Sequence, residues 1–358
     1  MQIGLVGMPG SGKTTLFKLL SGNLQLTGRS GSDEVHTGSA IVPDRRIDFL
    51  ASIYNPRKTT YARLEFKDIP GASMNDSRAR ASKLLDEVRS ANALVQVLRV
   101  FNSQAVEAAY GMPVPHRDLI SYSTELLLAD IDVLEKRIIR LEDAQKVKKD
   151  AASQVVLFKK LLEILENEHL LSSIELDDNE KQLLSGQSFL SEKPLFLVIN
   201  IDEVQLRKKT YPGREKIEAY AAGKRIPFIE ICAQVEMEIN RLQPDERLEF
   251  LEDLDLEESG LGRLSRITYE RLNMISFFTV GEDEVRAWTV HKGATARQAA
   301  SKIHSDIERG FIRAEVFHYD HLHRLGSSAR VREAGHFRLE GKDYQIQDGD
   351  IINFRFNV

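Results

Sequence analysis

The chain has 358 residues, 42% hydrophobic and 29% charged, with a net charge of −5. That is an ordinary soluble globular balance, too long for one small core, so two or three domains are expected. Nothing in it draws the whole chain to nucleic acid: no DNA partner is expected, and any RNA contact has to come from a local patch.

Cys232 is the only cysteine, which excludes a disulfide framework and a cysteine-rich zinc site and fits a reducing cytosol. The chain opens on a core strand, leaving no room for a signal peptide. No apolar run is long enough to span a membrane, so a cytoplasmic location is expected.

Residues 2–6 (QIGLV) predict a short buried strand. Gly7, Met8, Pro9, Gly10, Ser11, Gly12, Lys13 and Thr14 follow at once, and the run opening at Thr15 predicts an amphipathic helix. This is G-x-x-x-x-G-K-[ST] between a strand and a helix, the context in which the pattern signals phosphate binding. Glycines let successive N–H groups converge on an anion, and the helix N-terminus adds the positive end of its dipole. Lys13 is expected to reach the β- and γ-phosphates as the catalytic cation. The Thr14 hydroxyl is expected to ligate Mg²⁺, and the run from Gly7 through Thr15 to bind the nucleotide. The plainer alternative is a glycine turn in an ordinary strand-helix unit.

Residues 27–37 (TGRSGSDEVHT) are polar and glycine-rich, as a loop sensing a γ-phosphate would be; Ser32 and Thr37 are its candidate hydroxyls. Residues 61–67 (YARLEFK) alternate like a strand and lead into Asp68, Ile69, Pro70 and Gly71. A carboxylate at a strand end facing a phosphate loop can hold the Mg²⁺ shell, and Gly71 can offer its N–H to the γ-phosphate. Residues 72–80 are polar and small, as a second switch would be. Residues 93–100 (ALVQVLRV) predict another buried strand.

From residue 122 to about 175 there is neither glycine nor proline, and apolar residues recur at three- and four-residue steps on both sides of a polar stretch. This predicts two long antiparallel helices, a coiled-coil-like hairpin. Its tip carries Lys146, Lys148 and Lys149, either a solvated cluster or a partner or RNA contact. Residues 195–199 return to a buried strand ending in Asn200, Ile201, Asp202 and Glu203. Residues 228–231 are one more strand, followed by Cys232 and Ala233. The expected fold class is therefore α/β: a P-loop domain over 1–120 and 195–276, a helical insertion over 121–194, and a separate module over 277–358. That module has strands at 285–290 and 351–356 and a helix over 295–309.

Where P-loop GTPases end a strand in N-K-x-D, the aspartate selects guanine. Here Ile201 replaces the lysine and Glu203 the aspartate, which argues against strict guanine selection.

These motifs, with the run CAQVE at 232–236 and the C-terminal stretches EVRAWTVHKGATARQAASKIHSDIERGFIRAEV and EAGHFRLEGKDYQIQDGDIINFRFNV, resemble the YchF/Obg-like ATPase family over essentially the whole length. The resemblance implies a G domain, a coiled-coil insertion and a C-terminal TGS domain of ubiquitin-like β-grasp type. It also implies ATP preferred over GTP, slow hydrolysis, and association with ribosomes. Residue by residue it implies phosphate contact by Lys13, a Mg²⁺ shell at Thr14 and Asp68, the base framed by Asn200 and Glu203 beside Ile201, and backbone contacts from Cys232 and Ala233. The ribosome or RNA would be met through the TGS domain and the hairpin. The chain also departs from the family. Met8, Pro9, Gly10 and Ser11 stand where Leu-Pro-Asn-Val is common, so the asparagine tied to potassium activation is absent. Ala72 follows Gly71, where Ras-like proteins carry a glutamine that orients the attacking water.

His318, His321 and His323, with Asp320, are metal-ligand types at close spacing at the end of a strand and in the loop after it. Exposed polar residues beside a sheet are the plainer reading, since structural zinc needs four closely set ligands. An RNA-facing surface with Arg324, Arg330 and Arg332 is a further option. Cys232 reads as a small buried residue and Trp288 as core. Two rival functions remain: a P-loop small-molecule kinase, and a binding module in which ATP stabilises one shape without being hydrolysed.

Overall fold

The computed structural model describes residues 1–22, 35–71, 78–144 and 149–357. The chain divides into two compact units, Met1–Gly38 with Glu65–Leu261, and Ser39–Leu64 with Gly262–Val358. The second unit therefore takes in a segment that sequence reasoning assigned to the P-loop domain.

In chain order, strand β1 (Gln2–Val6) feeds helix α1 (Lys13–Ser21), followed by β2 (His36–Ile41), α2 (Arg45–Tyr54), β3 (Lys58–Thr60), β4 (Arg63–Asp68), α3 (Arg78–Ser90), β5 (Ala93–Arg99) and α4 (Gln104–Tyr110). Two long helices come next, α5 (Pro115–Ala144) and α6 (Lys149–Glu166), then α7 (Asp178–Leu183), β6 (Leu195–Asn200), α8 (Glu203–Lys208), α9 (Arg214–Lys224), β7 (Phe228–Ile231), α10 (Ala233–Ile239), α11 (Pro244–Asp253) and α12 (Gly260–Arg271). The chain closes with β8 (Met274–Thr279), β9 (Glu284–His291), α13 (Ala296–Ile303), α14 (Ser305–Arg309), β10 (Phe311–His318), α15 (Tyr319–Leu325), α16 (Ser328–Glu333), β11 (Arg338–Glu340) and β12 (Asp350–Phe356).

The first sheet has the order β2-β4-β1-β5-β6-β7. β1 pairs in parallel with β4 and β5, and β6 pairs in parallel with β5 and β7. Every residue of β5 and of β6 is buried. A parallel strand covered by helices on both faces reads as a continuous apolar run, which is why these two were legible as sequence. Each fully buried Leu, Ile or Phe adds about 1.5–3 kcal/mol. The order reverses at β1, between β4 and β5, and the carboxyl ends of these strands form the crevice where open α/β sheets bind ligands.

α5 and α6 pack side by side through Leu134, Ile138, Phe158 and Leu161, all in the main core. α5 starts at Pro115, earlier than the glycine-free run suggested, because proline is favoured at a first helical position. Asp130 is fully buried on α5 and accepts from Leu190 N at 2.9 Å, Ser191 N at 2.8 Å and Ser191 Oγ at 2.7 Å. It ties the hairpin to the segment that returns to the sheet. Lys146 and Lys148 lie outside the described residues.

The second unit has a sheet of order β11-β10-β12-β8-β9-β3. β10 is antiparallel to β11 and β12, β8 is antiparallel to β9, and β12 runs parallel to β8. The predicted helix at 295–309 is two helices, α13 and α14, broken at His304. β3 adds a parallel edge strand to β9, and Thr60 Oγ1 donates to Glu284 at 2.6 Å. On α2, Arg46 bonds Asp44 and Asp348, and Asp348 in turn accepts from Ser276 N at 2.9 Å. Trp288 is half-buried, stacked on Phe277 with Arg286 over its other face at 3.8 Å, so it is not fully core. His321 and His323 sit on α15, not in a loop as expected. The ring of His321 stacks on His336 at 3.9 Å, and no group of three metal-ligating side chains is present among the described residues.

Candidate nucleotide-binding site

The loop between β1 and α1 reverses the chain in six residues, 7–12, and glycine is required at both its ends. Gly7 lies at φ 138°, and a Cβ there would sit 2.5 Å from the Val97 carbonyl oxygen. Gly12 lies at φ 94°, and a Cβ there would sit 2.2 Å from Asn200 Nδ2. A side chain at either position would be strained and obstructed, so the backbone itself forms the concave surface.

Lys13 opens α1 and is only 6% exposed. Its Nζ donates to the carbonyls of Gly7 at 2.9 Å and Met8 at 3.0 Å, folding the ammonium back over the loop. Burial pulls its pKa down to about 8, against the opposing pull of the Asp68 carboxylate. Thr14 is exposed, and its Oγ1 donates to Asp68 Oδ2 at 2.7 Å. Asp68 is 5% exposed, and its other oxygen, Oδ1, is buried without a partner among the described residues. A buried carboxylate oxygen without a donor beside a hydroxyl is an incomplete oxygen-ligand set, the donor type Mg²⁺ takes. The residues therefore fit this ion. Ser11 Oγ is likewise buried without a partner.

Gly71 closes on the same loop: a Cβ there would lie 2.7 Å from the Gly7 carbonyl oxygen and 3.1 Å from Pro9. The structure thus brings together Gly7, Met8, Pro9, Ser11, Gly12, Lys13, Thr14, Asp68 and Gly71. Gly10 is overlaid by α4, whose Tyr110 ring would meet a Cβ at 2.7 Å. Thr15 is half-buried on the first turn of α1.

The expected base-side residues divide. Asn200 is 2% exposed; its Nδ2 donates to Ser11 O at 3.0 Å and its Oδ1 accepts from Ala233 N at 3.4 Å. Its amide braces the phosphate loop against the β7–α10 turn. Ile201 is 3% exposed, its side chain in the core with Leu197 and Ile199. Asp202 caps α8, accepting from Gln205 N at 2.9 Å. Glu203 is exposed, its Oε1 accepting from Arg207 Nε at 3.0 Å. Cys232 is buried at the start of α10, and burial pushes its thiol pKa up, so it is the inert small residue expected. Thr37 is exposed on β2, while Ser32 and Ala72 lie outside the described residues.

Sequence reasoning passed over Arg99. It closes β5 at 7% exposure and donates through one terminal nitrogen to the Gly111 carbonyl, while Nη1 is buried without a partner. A charged residue at the end of an otherwise apolar run was the available signal.

The YchF-GTPase_C family model, described as a protein of unknown function (DUF933), matches residues 274–357. A curated relative from Pasteurella multocida (strain Pm70), named "Ribosome-binding ATPase YchF", is 40% identical over 369 residues, covering 100% of this chain and 99% of that protein. One of the same name from Bacillus subtilis (strain 168) is 39% identical over 373 residues and covers 100% of both. A solved structure, "Structure of the Schizosaccharomyces pombe YchF GTPase", superposes with a TM-score of 0.86 at 28% identity over 99% of this chain and 97% of that one. With a P-loop at the switch point of a parallel sheet and full-length relatives at this identity, the chain belongs to the YchF family.

Proposed function

We propose that the chain is a Mg²⁺-dependent nucleoside triphosphatase that binds ATP, and GTP less selectively, hydrolyses it slowly, and uses the γ-phosphate as a conformational signal to a ribosome or RNA partner. The observation that carries this is the Lys13 ammonium, buried against the Gly7 and Met8 carbonyls beside the Thr14–Asp68 pair. A triphosphate offers that ammonium a stronger partner than two carbonyls. The N–H groups of the loop and Lys13 hold the β- and γ-oxygens, and that electrostatic stabilisation is most of what phosphoryl transfer asks of a protein. Thr14 and Asp68 are the residues that would hold Mg²⁺, which would neutralise charge on the phosphate chain. Gly71, which closes on Gly7, would offer its N–H to the γ-phosphate and shift when it leaves.

The base lies on the α8 and α10 side. Ala233 and Cys232 supply backbone groups there, and Glu203 stands where a shorter carboxylate would select guanine. The relatives' names support the reading on both nucleotides: two are called ATPases and one a GTPase. We assign the second unit's sheet to the TGS (β-grasp) class and α5–α6 to the coiled-coil insertion, and we take these two as the ribosome- or RNA-facing parts.

The test is multi-turnover phosphate release from ATP and from GTP, with and without ribosomes, against a Lys13→Ala control. Release from ATP above that control, raised by ribosomes, is expected. No release above the control, with ATP still bound, would favour the non-hydrolysing module. Phosphate appearing on an added nucleotide would favour the kinase.

A further inference from the structure

Burying a charged group without an opposite charge is among the least favourable arrangements in a fold. Arg99 is such a group. It is 7% exposed, no carboxylate pairs with it among the described residues, its Nη2 is on the Gly111 carbonyl, and its Nη1 has no partner. Arg99 is the register partner of Asn200, whose amide holds Ser11 O at 3.0 Å. Val97, two residues earlier on β5, has its backbone carbonyl where a Cβ of Gly7 would lie 2.5 Å away, so this end of β5 runs against the start of the phosphate loop. Gly111, which receives the guanidinium, directly follows Tyr110, whose ring covers Gly10. Arg99 is thus tied through Gly111 to the turn that covers Gly10, and its register partner Asn200 holds Ser11. α4, which it pins there, has no buried residue of its own.

We propose that Arg99 is a second in-chain cation of the nucleotide site: a positioning residue that holds the α4 turn over Gly10 and whose unbalanced charge is answered by the bound polyphosphate. This rests on the nucleotide-binding reading above. It explains why a buried cation is kept with an unpaired nitrogen: no counter-charge stands against it among the described residues, and the ligand brings one. A guanidinium suits this because it stays ionised when buried and serves two acceptors at once, Gly111 O and a second.

The test separates charge from scaffold. Arg99→Gln keeps a donor for the Gly111 carbonyl and removes the charge; Arg99→Lys keeps the charge and loses the fork. Titration calorimetry with Mg²⁺ and a non-hydrolysable ATP analogue is run on the wild type, both variants and Lys13→Ala, together with melting curves without nucleotide. The expected result is affinity lowered about tenfold or more in Arg99→Gln, about 1.4 kcal/mol, and by less than about threefold in Arg99→Lys. The melting temperature of nucleotide-free Arg99→Gln is expected to stay level or rise, because an unbalanced buried charge has gone. Wild-type affinity in Arg99→Gln, or an equal loss in both variants, overturns the proposal. Should Arg99→Gln fail to fold, the Lys variant decides: a tenfold loss with the charge intact also overturns it. A wild type that binds no nucleotide defeats the underlying reading instead, and the two failures are told apart by that arm alone.

Discussion

The ammonium of Lys13 makes nucleotide binding a proton-linked event, and the link has a definite sign. In the nucleotide-free fold its pKa is down from 10.5 to about 8, with burial the larger cause. A shift of that size corresponds to about 3 kcal/mol against the charged form. Below pH 8 the buried lysine is charged and that penalty is present. Between pH 8 and 10.5 the unfolded chain holds the extra proton, so the free fold gains stability as pH rises through this window. Binding runs the other way. A polyphosphate beside Nζ favours the ammonium, so the complex must take up the proton that the free protein has lost. About half a proton per triphosphate is expected at pH 8 and about 0.9 at pH 9. Affinity should fall by up to about tenfold per pH unit above that pKa. The triphosphate is itself fully ionised there, since its last proton leaves near pH 6. Calorimetry at pH 6.5, 8 and 9 in two buffers of different ionisation enthalpy counts the protons directly, with Lys13→Met as the control that takes up none. Uptake that is zero at pH 9, or equal in the wild type and Lys13→Met, would refute the reasoning.

Three further outcomes are expected. Gly12→Ala should abolish nucleotide binding, because φ 94° costs a non-glycine residue about 1–3 kcal/mol and its Cβ, 2.2 Å from Asn200 Nδ2, must displace the brace; calorimetry retaining wild-type affinity would speak against the geometry. Asp130→Ala leaves the N–H groups of Leu190 and Ser191 without their acceptor and should lower stability by about 3 kcal/mol in denaturant melts. Arg46→Ala and Asp348→Ala, taken through a double-mutant cycle, should show coupling of about 0.5–1 kcal/mol, modest because the pair is part-exposed; a coupling of zero would mean that α2 is held by packing alone.

Much of the first unit was legible in the sequence because its signals are local. The glycine-lysine-threonine run, the mostly apolar strands at β5 and β6, and the glycine-free helical stretch each declare themselves within a few residues. What was not legible depends on partners far along the chain. Arg46 and Asp348 are 302 residues apart, so nothing near residue 46 signals that α2 and β3 join the C-terminal sheet. The bonds of the Asn200 amide to Ser11 and Ala233 were not legible, because those partners lie 189 and 33 residues away along the chain. His321 and His323 looked like loop residues because a short helix with a histidine N-cap at His318 carries no strong periodicity. Arg99 was hidden because a lone arginine at a strand end reads as a surface residue until its burial is seen.

The central claim is that the β1–α1 loop cradles a polyphosphate, and a crystal structure with Mg²⁺ and a non-cleavable ATP analogue tests it most directly. The expected result is phosphate oxygens against the N–H groups of residues 10–14, with Lys13 Nζ moved from the Gly7 and Met8 carbonyls onto the phosphates and the Thr14–Asp68 hydrogen bond opened around the metal. Lys13 still on those two carbonyls, with the analogue bound elsewhere or not at all, would contradict it.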